Sequence, residues 1–213
     1  MTEKVFWQDP YLTELTTTIT HIDGTYVELA ATIFYAESGG QESDSGTIGG
    51  IPVIKAEKQG LSIRYTLAHQ PDFNLGDKVT IKIDWSRRYA LMKLHFAAEV
   101  VLELITQNYA LGKIGAHISQ DKSRIDFLTS QPISPLLADI QQQAQAIIDS
   151  DQTIESDFSD IQQQRRYWKV SGFAQVPCGG THLKRTAEVG QIRLKRKNIG
   201  KGKERVEICL FDG

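Results

Sequence analysis

The segment Val176-Pro-Cys-Gly-Gly-Thr-His182 places a thiol and an imidazole four positions apart, with two glycines between them. Cysteine and histidine are the preferred protein ligands of zinc, so Cys178 and His182 supply half of a tetrahedral site. Gly179 and Gly180 permit a tight bend that directs both side chains to one point. The other half of the site has to come from elsewhere in the chain.

A second pair of ligands lies on a predicted helix. Apolar residues at helical spacing, without proline or glycine, run from Trp85 to about Tyr109, and Ser86 is the expected N-cap. His95 and Glu99 are four positions apart on this helix and point from one face, as two metal ligands from a helix must. A histidine and a glutamate that only pair with each other have the same spacing. When a helix carries a single His/Glu pair, this structural role is the more common one.

The first 85 residues carry the pattern of a small all-β domain. Segments of alternating apolar and polar residues are separated by turns such as Asp23-Gly24 and Gln59-Gly60. Many short strands between glycine turns indicate a small glycine-rich β-barrel or a sandwich over residues 1–85. Beyond the hairpin at Asp23-Gly24, strands are predicted at 51–57, 62–67 and 79–83.

Residues 86–213 mix helices with strands. After the long helix, a second helix is predicted to begin at Ser134-Pro135 with Ser134 as its N-cap, and 154–166 is predicted to be a third, charged helix. Strands are expected at 115–118, 124–127, 191–197 and 205–211. The chain is therefore assigned to the α+β class, with a β-barrel domain (1–85) followed by a domain (86–213) of helices packed on a mainly antiparallel sheet.

The composition is that of an ordinary globular protein, with 40% hydrophobic and 23% charged residues. No apolar run approaches the roughly 20 residues that span a bilayer, and the N-terminus lacks the apolar core of a secretion signal. Two cysteines, Cys178 and Cys209, do not make a disulfide scaffold. These features predict a cytoplasmic protein without membrane contact.

The net charge of −2 argues against general binding of nucleic acid, DNA included, but the charge is unevenly distributed. Local charges set the field, so a basic segment can contact phosphates even on an acidic protein. A hairpin edge that lysines protect from aggregation is an equal explanation. Between residues 184 and 205 only Glu188 and Glu204 are acidic, and the basic residues are Lys184, Arg185, Arg193, Lys195, Arg196, Lys197, Lys201, Lys203 and Arg205.

Three blocks of residues follow one another in a characteristic order. They are Phe34-Tyr35 with Ser38-Gly-Gly-Gln41 and Asp44-Ser-Gly46, then Arg87-Arg88 with His95, then Cys178–His182 followed by Thr186 and Glu188-Val-Gly190. This order resembles the editing module of alanyl-tRNA synthetase, and most closely its free-standing relatives, the alanyl-tRNA trans-editing proteins of medium length (AlaX type). The resemblance covers nearly the whole chain.

The resemblance implies a zinc-dependent esterase, with one Zn²⁺ per chain, whose editing domain is residues 86–213. Its substrate would be mischarged alanine tRNA, chiefly Ser-tRNA(Ala) and also Gly-tRNA(Ala), hydrolysed in trans. The family's metal ligands are a His-xxx-His pair on a helix and a Cys-xxx-His pair in a loop. His95, Cys178 and His182 match three of these ligands, and Glu99 stands where the family has its second histidine.

Glu99 departs from the family's pattern, and three roles are open to it. A carboxylate oxygen is a competent zinc ligand, so Glu99 can complete the set at the cost of one more negative charge, which weakens the Lewis acidity of the ion. Otherwise it supports the site from outside the ligand sphere, or it acts as the general base. The ligand role is the expectation, with a catalytic role as the alternative.

Ester hydrolysis needs a positioned water and stabilisation of charge, and zinc either activates the water or holds the substrate's amine. Gln41 is the candidate catalytic residue whose amide orients water or the terminal ribose. Gly39 and Gly40 are expected to let backbone N–H groups approach the substrate, although a hairpin turn would also explain them.

Selection of serine over alanine requires recognition of a hydroxyl group. Thr181, inside the ligand loop, is a candidate for this chemistry, or its hydroxyl only holds the loop together. Each of the other candidates also has an ordinary explanation as a strand residue or as part of a solvated helix face. These predicted substrate-binding residues are Thr32, His117, and, at the start of the ligand helix, Arg87, Arg88 and Lys93.

Two other functions fit the same residues. One is a structural-zinc module that binds tRNA or protein without catalysis, which a closed sphere of four ligands would favour. The other is a related metal-dependent hydrolase that acts on a different aminoacyl, ester or amide substrate. The oligomeric state is not indicated by the sequence.

Overall fold

The computed structural model describes residues 1–200 and 202–211 and divides into two compact units. The first unit comprises Met1–Ser38 and Glu42–Tyr89, and the second comprises Gly39–Gln41 and the described residues from Ala90 onward. Two segments therefore depart from a simple division at residue 85. Gly39–Gln41 joins the second unit because Gln41 forms a β-bridge with Ile118.

The first unit is built from eight strands. The strands β2, β3, β7, β6, β5 and β8 pair antiparallel in that order, and β8 pairs back with β2, so the pairings form a closed ring. The strands and the hairpin at Asp23-Gly24 that the sequence predicts are present. In chain order the strands are β1 (Glu3–Lys4), β2 (Glu14–Asp23), β3 (Tyr26–Leu29), β4 (Ala31–Thr32), β5 (Gly46–Ile48), β6 (Ile51–Gln59), β7 (Ser62–Leu67) and β8 (Lys78–Ile83).

The long helix α1 (Trp85–Tyr109) is confirmed, but its N-cap is not Ser86. The helix starts one residue earlier, and the Asp84 carboxylate accepts a hydrogen bond from the Arg87 amide at 3.1 Å. Asp84 therefore satisfies one of the first free amides of the helix, which is the function of an N-cap. Ser86 is exposed in the first turn.

The second unit continues with strands and one more long helix. The strands β9, β10, β14 and β15 form an antiparallel sheet in the order β14-β15-β10-β9, and β11, β12 and β13 form a second sheet. The predicted α+β class is confirmed. In chain order the elements are β9 (Gly112–Ile118), β10 (Ser123–Leu128), α2 (Ser134–Asp149), β11 (Glu155–Asp160), β12 (Arg165–Val170), β13 (Ala174–Pro177), β14 (Gln191–Asn198) and β15 (Lys203–Phe211).

The predicted charged helix at 154–166 is wrong, because this segment forms β11 and the start of β12. The two strands pair antiparallel, with Ser156 opposite Trp168. Trp168 and Val170 are buried and alternate with less buried neighbours, so β12 has the period of a strand. Gln164 has a φ of 54°, which turns the chain between the two strands.

Helix α2 has the predicted position but not the predicted cap. Ser134 is its first residue, Ile133 precedes it, and no side chain caps this end. Pro135 stands in the first turn, where its missing amide hydrogen costs no helical hydrogen bond. Of the helices in residues 1–200 and 202–211, none is long and apolar enough to cross a bilayer.

Helix α2 also covers the free edge of β14. The amides of Ile192 and Leu194, on the side away from β15, donate to the side-chain oxygens of Gln145 and Gln141 at 3.0 and 2.9 Å. The glutamines are one helical turn apart and the amides two strand residues apart, so their spacings match. The first half of this edge is thereby closed to pairing with another strand.

Candidate metal centre

Four side chains with metal-binding atoms converge in the second unit. Helix α1 supplies His95 and Glu99, and the loop that follows β13 supplies Cys178 and His182. Their nitrogen, oxygen and sulfur atoms all lie within 4.8 Å of one another. The fold thus brings together the helix pair and the loop pair, which are 79 or more positions apart in sequence.

The spacing of these atoms suits a tetrahedral ion. His95 Nε2 lies 3.3 Å from Glu99 Oε1 and 3.4 Å from Cys178 Sγ, and His182 Nε2 lies 3.4 Å from Glu99 Oε2. Ligand atoms about 2.0–2.1 Å from a tetrahedral centre are about 3.3–3.4 Å from each other. The two nitrogen–oxygen distances, each to a different oxygen of Glu99, have this spacing, and sulfur, whose bond to zinc is about 2.3 Å, requires slightly more room.

Two polar atoms in this group lack a hydrogen bond. Glu99 Oε2 and His182 Nε2 are buried and have no hydrogen-bond partner among the described residues. Buried polar atoms in folded proteins almost always have such a partner, so an unsatisfied pair facing each other needs an explanation. A cation bound between them would satisfy both, and the residues present therefore fit a metal ion.

Each imidazole is held from behind, which turns its other nitrogen inward. His95 Nδ1 is hydrogen bonded to Gln41 Oε1, and His182 Nδ1 lies 3.2 Å from the Ser156 hydroxyl. Histidine ligands in metal sites are usually oriented by such a hydrogen bond on the nitrogen that does not face the metal. Ser156 was not predicted from the sequence, because it lies in the segment wrongly assigned to a helix.

The electrostatics of the cluster favour a cation. Burial raises the pKa of the Glu99 carboxyl, but His95 and His182 more than offset this and hold it well below its usual range. Burial likewise raises the pKa of the Cys178 thiol, yet the two imidazoles lower it to about 7. Burial lowers the pKa of both histidines, and the negative groups opposite raise it above its ordinary value. A divalent cation would take the place of these histidine protons.

Gly180 is required by the packing of His95 rather than by a bend. A Cβ at residue 180 would lie 2.1 Å from His95 Cε1 and 2.7 Å from His95 Nδ1. The loop backbone therefore passes directly against the imidazole that Gln41 holds. Gly179 has open space around it, so the two glycines of the motif differ in function. The Gly180 amide also donates to Cys178 Sγ at 3.4 Å.

The glycines before Gln41 bring the chain against β9. Gly40 has a φ of 89°, and a Cβ there would lie 2.6 Å from the Ala116 carbonyl oxygen. The Gly40 carbonyl accepts a hydrogen bond from the Ile118 amide at 2.7 Å. This close approach places Gln41, which is 1% exposed, where its amide bonds both His95 and the Thr181 hydroxyl, the latter at 3.1 Å.

The residues that follow His182 anchor the ligand loop. The Thr186 hydroxyl donates to the Ile148 carbonyl at 3.0 Å and accepts from the Gln152 amide, also at 3.0 Å. The Glu188 carboxylate accepts from the amides of Lys184 and Arg185 at 3.1 and 2.9 Å. Thr186 therefore fixes the loop to the end of α2, Glu188 bonds the backbone just before it, and both have a structural role.

Two residues predicted to bind tRNA have structural partners in the first unit. Arg88 is fully buried, and its guanidinium is bonded to the Asp44 carboxylate and to the carbonyls of Pro10 and Ile33. This role replaces the predicted contact with tRNA. Arg87 is ion-paired with Glu42 at 2.7 Å.

Three other residues predicted to bind the substrate lie on a strand of the first unit, on α1 and on β9. The Thr32 hydroxyl, fully buried in the first unit, bonds the Tyr65 hydroxyl at 2.7 Å and the Phe34 amide at 3.0 Å. Lys93 is half-buried on α1, and His117 is half-buried on β9 opposite Arg124. Contacts of these three side chains with a substrate remain predictions.

The fold and the cluster define a class of protein: an α+β chain in which a helix and a glycine-containing loop bring together four side chains that could hold a metal ion. Residues 170–207, which include the loop, match the family described as the second additional domain of threonyl and alanyl tRNA synthetases.

Full-length relatives narrow the class further. The chain is 32% identical to the alanyl-tRNA editing protein AlaX-M of Pyrococcus horikoshii, over 99% of this chain and 98% of the relative. It is 29% identical to the AlaX-M protein of Methanosarcina mazei, over 100% and 98%. An alanine–tRNA ligase of Methanococcus maripaludis is 30% identical over 100% of this chain but only 26% of the ligase. The chain belongs to the AlaX-M family of alanyl-tRNA editing proteins, which confirms the resemblance seen in the sequence.

Proposed function

We propose that this protein hydrolyses the aminoacyl ester of mischarged tRNA(Ala) in trans, chiefly Ser-tRNA(Ala) and also Gly-tRNA(Ala), with one Zn²⁺ per chain. The observation that carries the proposal is the cluster of His95, Glu99, Cys178 and His182, in which two buried polar atoms point at each other unsatisfied. The names of the relatives support the substrate class. We further propose that the ring of strands is a small β-barrel domain, and that the protein works in the cytoplasm.

We assign Glu99 as the fourth ligand rather than as the general base. Its two oxygens face His95 and His182 at 3.3 and 3.4 Å, so both are turned into the cluster. A base would need an oxygen directed at a water outside it. A His₂Cys carboxylate set is chemically suited to zinc, since all three ligand types bind this ion in proteins.

In the proposed mechanism the ion and the protein side chains have different roles. When bound, zinc supplies positive charge that can polarise a carbonyl or acidify a water. His95 and His182 present Nε2 because Gln41 and Ser156 hold Nδ1. Gln41 is thus proposed as a residue that positions His95, since its amide already bonds two side chains. Hydrolysis adds water across the ester and releases the free amino acid and a tRNA with a free terminal hydroxyl.

Thr181 is the residue we propose for contact with the amino acid. Its oxygen accepts a hydrogen bond from Gln41 Nε2 at 3.1 Å, so its own proton remains to be donated. A hydroxyl so oriented can donate to the side-chain oxygen of serine. Alanine has no such oxygen and would leave the buried Thr181 proton without an acceptor, which disfavours its binding.

One observation favours an alternative, a structural-zinc module without catalysis. The cluster offers four donors, and four protein ligands close a tetrahedral site, as in structural zinc centres. The two functions differ in what metal loss does. Loss of a structural ion would unfold this part of the chain, whereas loss of a catalytic ion would remove activity first.

The deacylation of Ser-tRNA(Ala), with Ala-tRNA(Ala) as the comparison, tests the proposal. Purified protein should release serine much faster than buffer does and release alanine little, and Cys178→Ala should lose both zinc and activity. Cys209→Ala is the matched control, because Cys209 lies in β15, outside the cluster. Zinc binding by the wild type without release of serine would refute the editing function and support the structural module.

A further inference from the structure

The outer face of the four-stranded sheet carries a row of cations on β14. Arg193, Lys195 and Lys197 alternate with the buried Ile192 and Leu194 and are all exposed. Side chains two positions apart in a strand point to the same side, about 6.6–6.8 Å apart. We call these three residues the basic row.

The carboxylates on the same face are ion-paired with cations outside the basic row. Glu207 stands opposite Lys195 in the sheet, but its carboxylate is bonded to Lys122 at 2.8 Å. Asp126 is bonded to both Arg205 and Arg124. Within residues 1–200 and 202–211, the basic row forms no ion pair, although Lys197 is near enough to Glu207 to help lower the pKa of its carboxyl. Lys201, in the turn between β14 and β15, lies outside the described residues.

Protection of a sheet edge does not explain Arg193, which lies between two covered edge amides. The lysines of an exposed edge strand commonly prevent pairing with another chain. Here the edge amides of Ile192 and Leu194 are already bonded to Gln145 and Gln141 of α2. Arg196, whose side chain lies on the opposite face of β14, is ion-paired with Glu204. Cations without an ion pair are thus confined to the outer face of this strand.

The sheet connects the basic row to the metal cluster, but the two lie on opposite faces. Gln41 is in register with Ile118, Ser123, Ile208 and Leu194, so its side chain points to the buried face. The strand order is β14-β15-β10-β9, and beyond β9 the bridge from Ile118 reaches Gln41, whose amide holds His95. Four strand spacings of about 4.8 Å separate β14 from Gln41, roughly 19 Å in all. An RNA strand bound to the outer face would therefore pass round the β9 edge of the sheet to reach the cluster.

We propose that the basic row binds the sugar-phosphate backbone of the tRNA whose aminoacyl end enters the metal cluster. The proposal rests on the proposed function for the identity of the RNA. Unpaired cations in a row, on a protein with a net charge of −2, give this face local positive charge that complements a polyanion. Contacts of this kind fix the position of the RNA without reading its sequence.

The test neutralises the row and compares the salt dependence of tRNA binding. Arg193→Gln, Lys195→Gln and Lys197→Gln are combined, which changes the net charge from −2 to −5, that is −2 minus three charges. Lys58→Gln, Lys78→Gln and Arg165→Gln, all exposed and outside the basic row, give the matched control with the same net charge. Binding of uncharged tRNA(Ala) is measured from 50 to 200 mM salt, and deacylation of Ser-tRNA(Ala) is followed in parallel.

The row variant should bind tRNA at least about tenfold more weakly at low salt, and the slope of log affinity against log salt should fall by about 2–3. KM should rise while kcat and zinc content stay unchanged. Equal losses in both triple variants, or no change in slope, would overturn the row as a binding surface even if the wild type deacylates. If the wild type releases no serine but binds tRNA tightly through the basic row, the row stands as a binding surface. Only the catalytic function is then refuted.

Discussion

Two groups of buried charged side chains in this protein differ in how many of their polar atoms form hydrogen bonds. Arg88 and Asp44, in the first unit, form an ion pair with no exposed side-chain surface. All three guanidinium nitrogens donate hydrogen bonds, and Asp44 Oδ2 also accepts from the Tyr35 amide at 2.7 Å. The cluster around Glu99, in the second unit, leaves Glu99 Oε2 and His182 Nε2 without a hydrogen bond.

This difference distinguishes a structural hydrogen-bond network from a candidate metal site. A buried charge costs much free energy unless other groups of the protein satisfy it, and the Arg88 network meets that condition completely. The Glu99 cluster does not, although its residues are held in place from behind by Gln41 and Ser156. Fixed ligands with unsatisfied inward atoms are what a preformed metal site requires. The following predictions test whether the two groups really differ in this way.

Breaking the closed network should have the largest effect on stability. Arg88→Met leaves the Asp44 carboxylate buried without its partner, so the free energy of unfolding should fall by about 3–5 kcal/mol. The zinc content of the remaining folded protein should not change. Urea unfolding measures the first quantity and elemental analysis the second.

The double variant Arg88→Met with Asp44→Leu is the control for that experiment. Because replacement of both members of a buried pair by apolar groups is often nearly neutral, it should recover most of the lost stability. A single variant as stable as the wild type would contradict the structural role of the pair.

The glycine pair of the ligand loop offers a sharp contrast at the metal cluster. In Gly180→Ala the new Cβ would overlap the His95 ring, so His95 must move, and metal affinity should fall more than about 100-fold, beyond the loss typical of an orienting residue. Gly179→Ala adds its methyl group to open space and should bind metal like the wild type. Competition with a coloured chelator measures both affinities. Equal affinities in the two variants would show that His95 does not bind the metal where the structure places it.

The residues that orient the imidazoles should have a smaller effect. Gln41→Ala and Ser156→Ala each remove a hydrogen bond to Nδ1 of a histidine, and each should weaken metal binding by about 10–100-fold. Gln175→Ala and Ser171→Ala, at exposed positions in the segment that leads into the ligand loop, are the matched controls. If Gln41→Ala abolished deacylation with no change in metal affinity, Gln41 would contact the substrate instead of positioning His95.

The sequence was sufficient to predict the ligand pairs, because their spacing is local. Four positions on a helix place His95 and Glu99 on one face, whatever surrounds them. Most strands and both long helices were predicted for the same reason, since their periods and turns are written in neighbouring residues. The Asp84 cap was missed, although it stands only two positions before the residue chosen.

The features that were not predicted depend on contacts between distant segments. The burial of Arg88 is set by Pro10 and Ile33, which are 78 and 55 positions away. The need for Gly180 comes from the His95 ring, and Ser156 was missed because 154–166 was assigned a helical period. Glutamines of α2 that close the first half of the edge of β14 have no signature in the local sequence either.

We infer that His95, Glu99, Cys178 and His182 together hold one zinc ion. X-ray absorption at the zinc edge of the purified protein, combined with metal analysis, is the decisive measurement. We expect about one zinc per chain, with one sulfur ligand at about 2.3 Å and the remaining ligands nitrogen or oxygen at about 2.0–2.2 Å. Protein without stoichiometric metal, or zinc with no sulfur ligand, would contradict this inference.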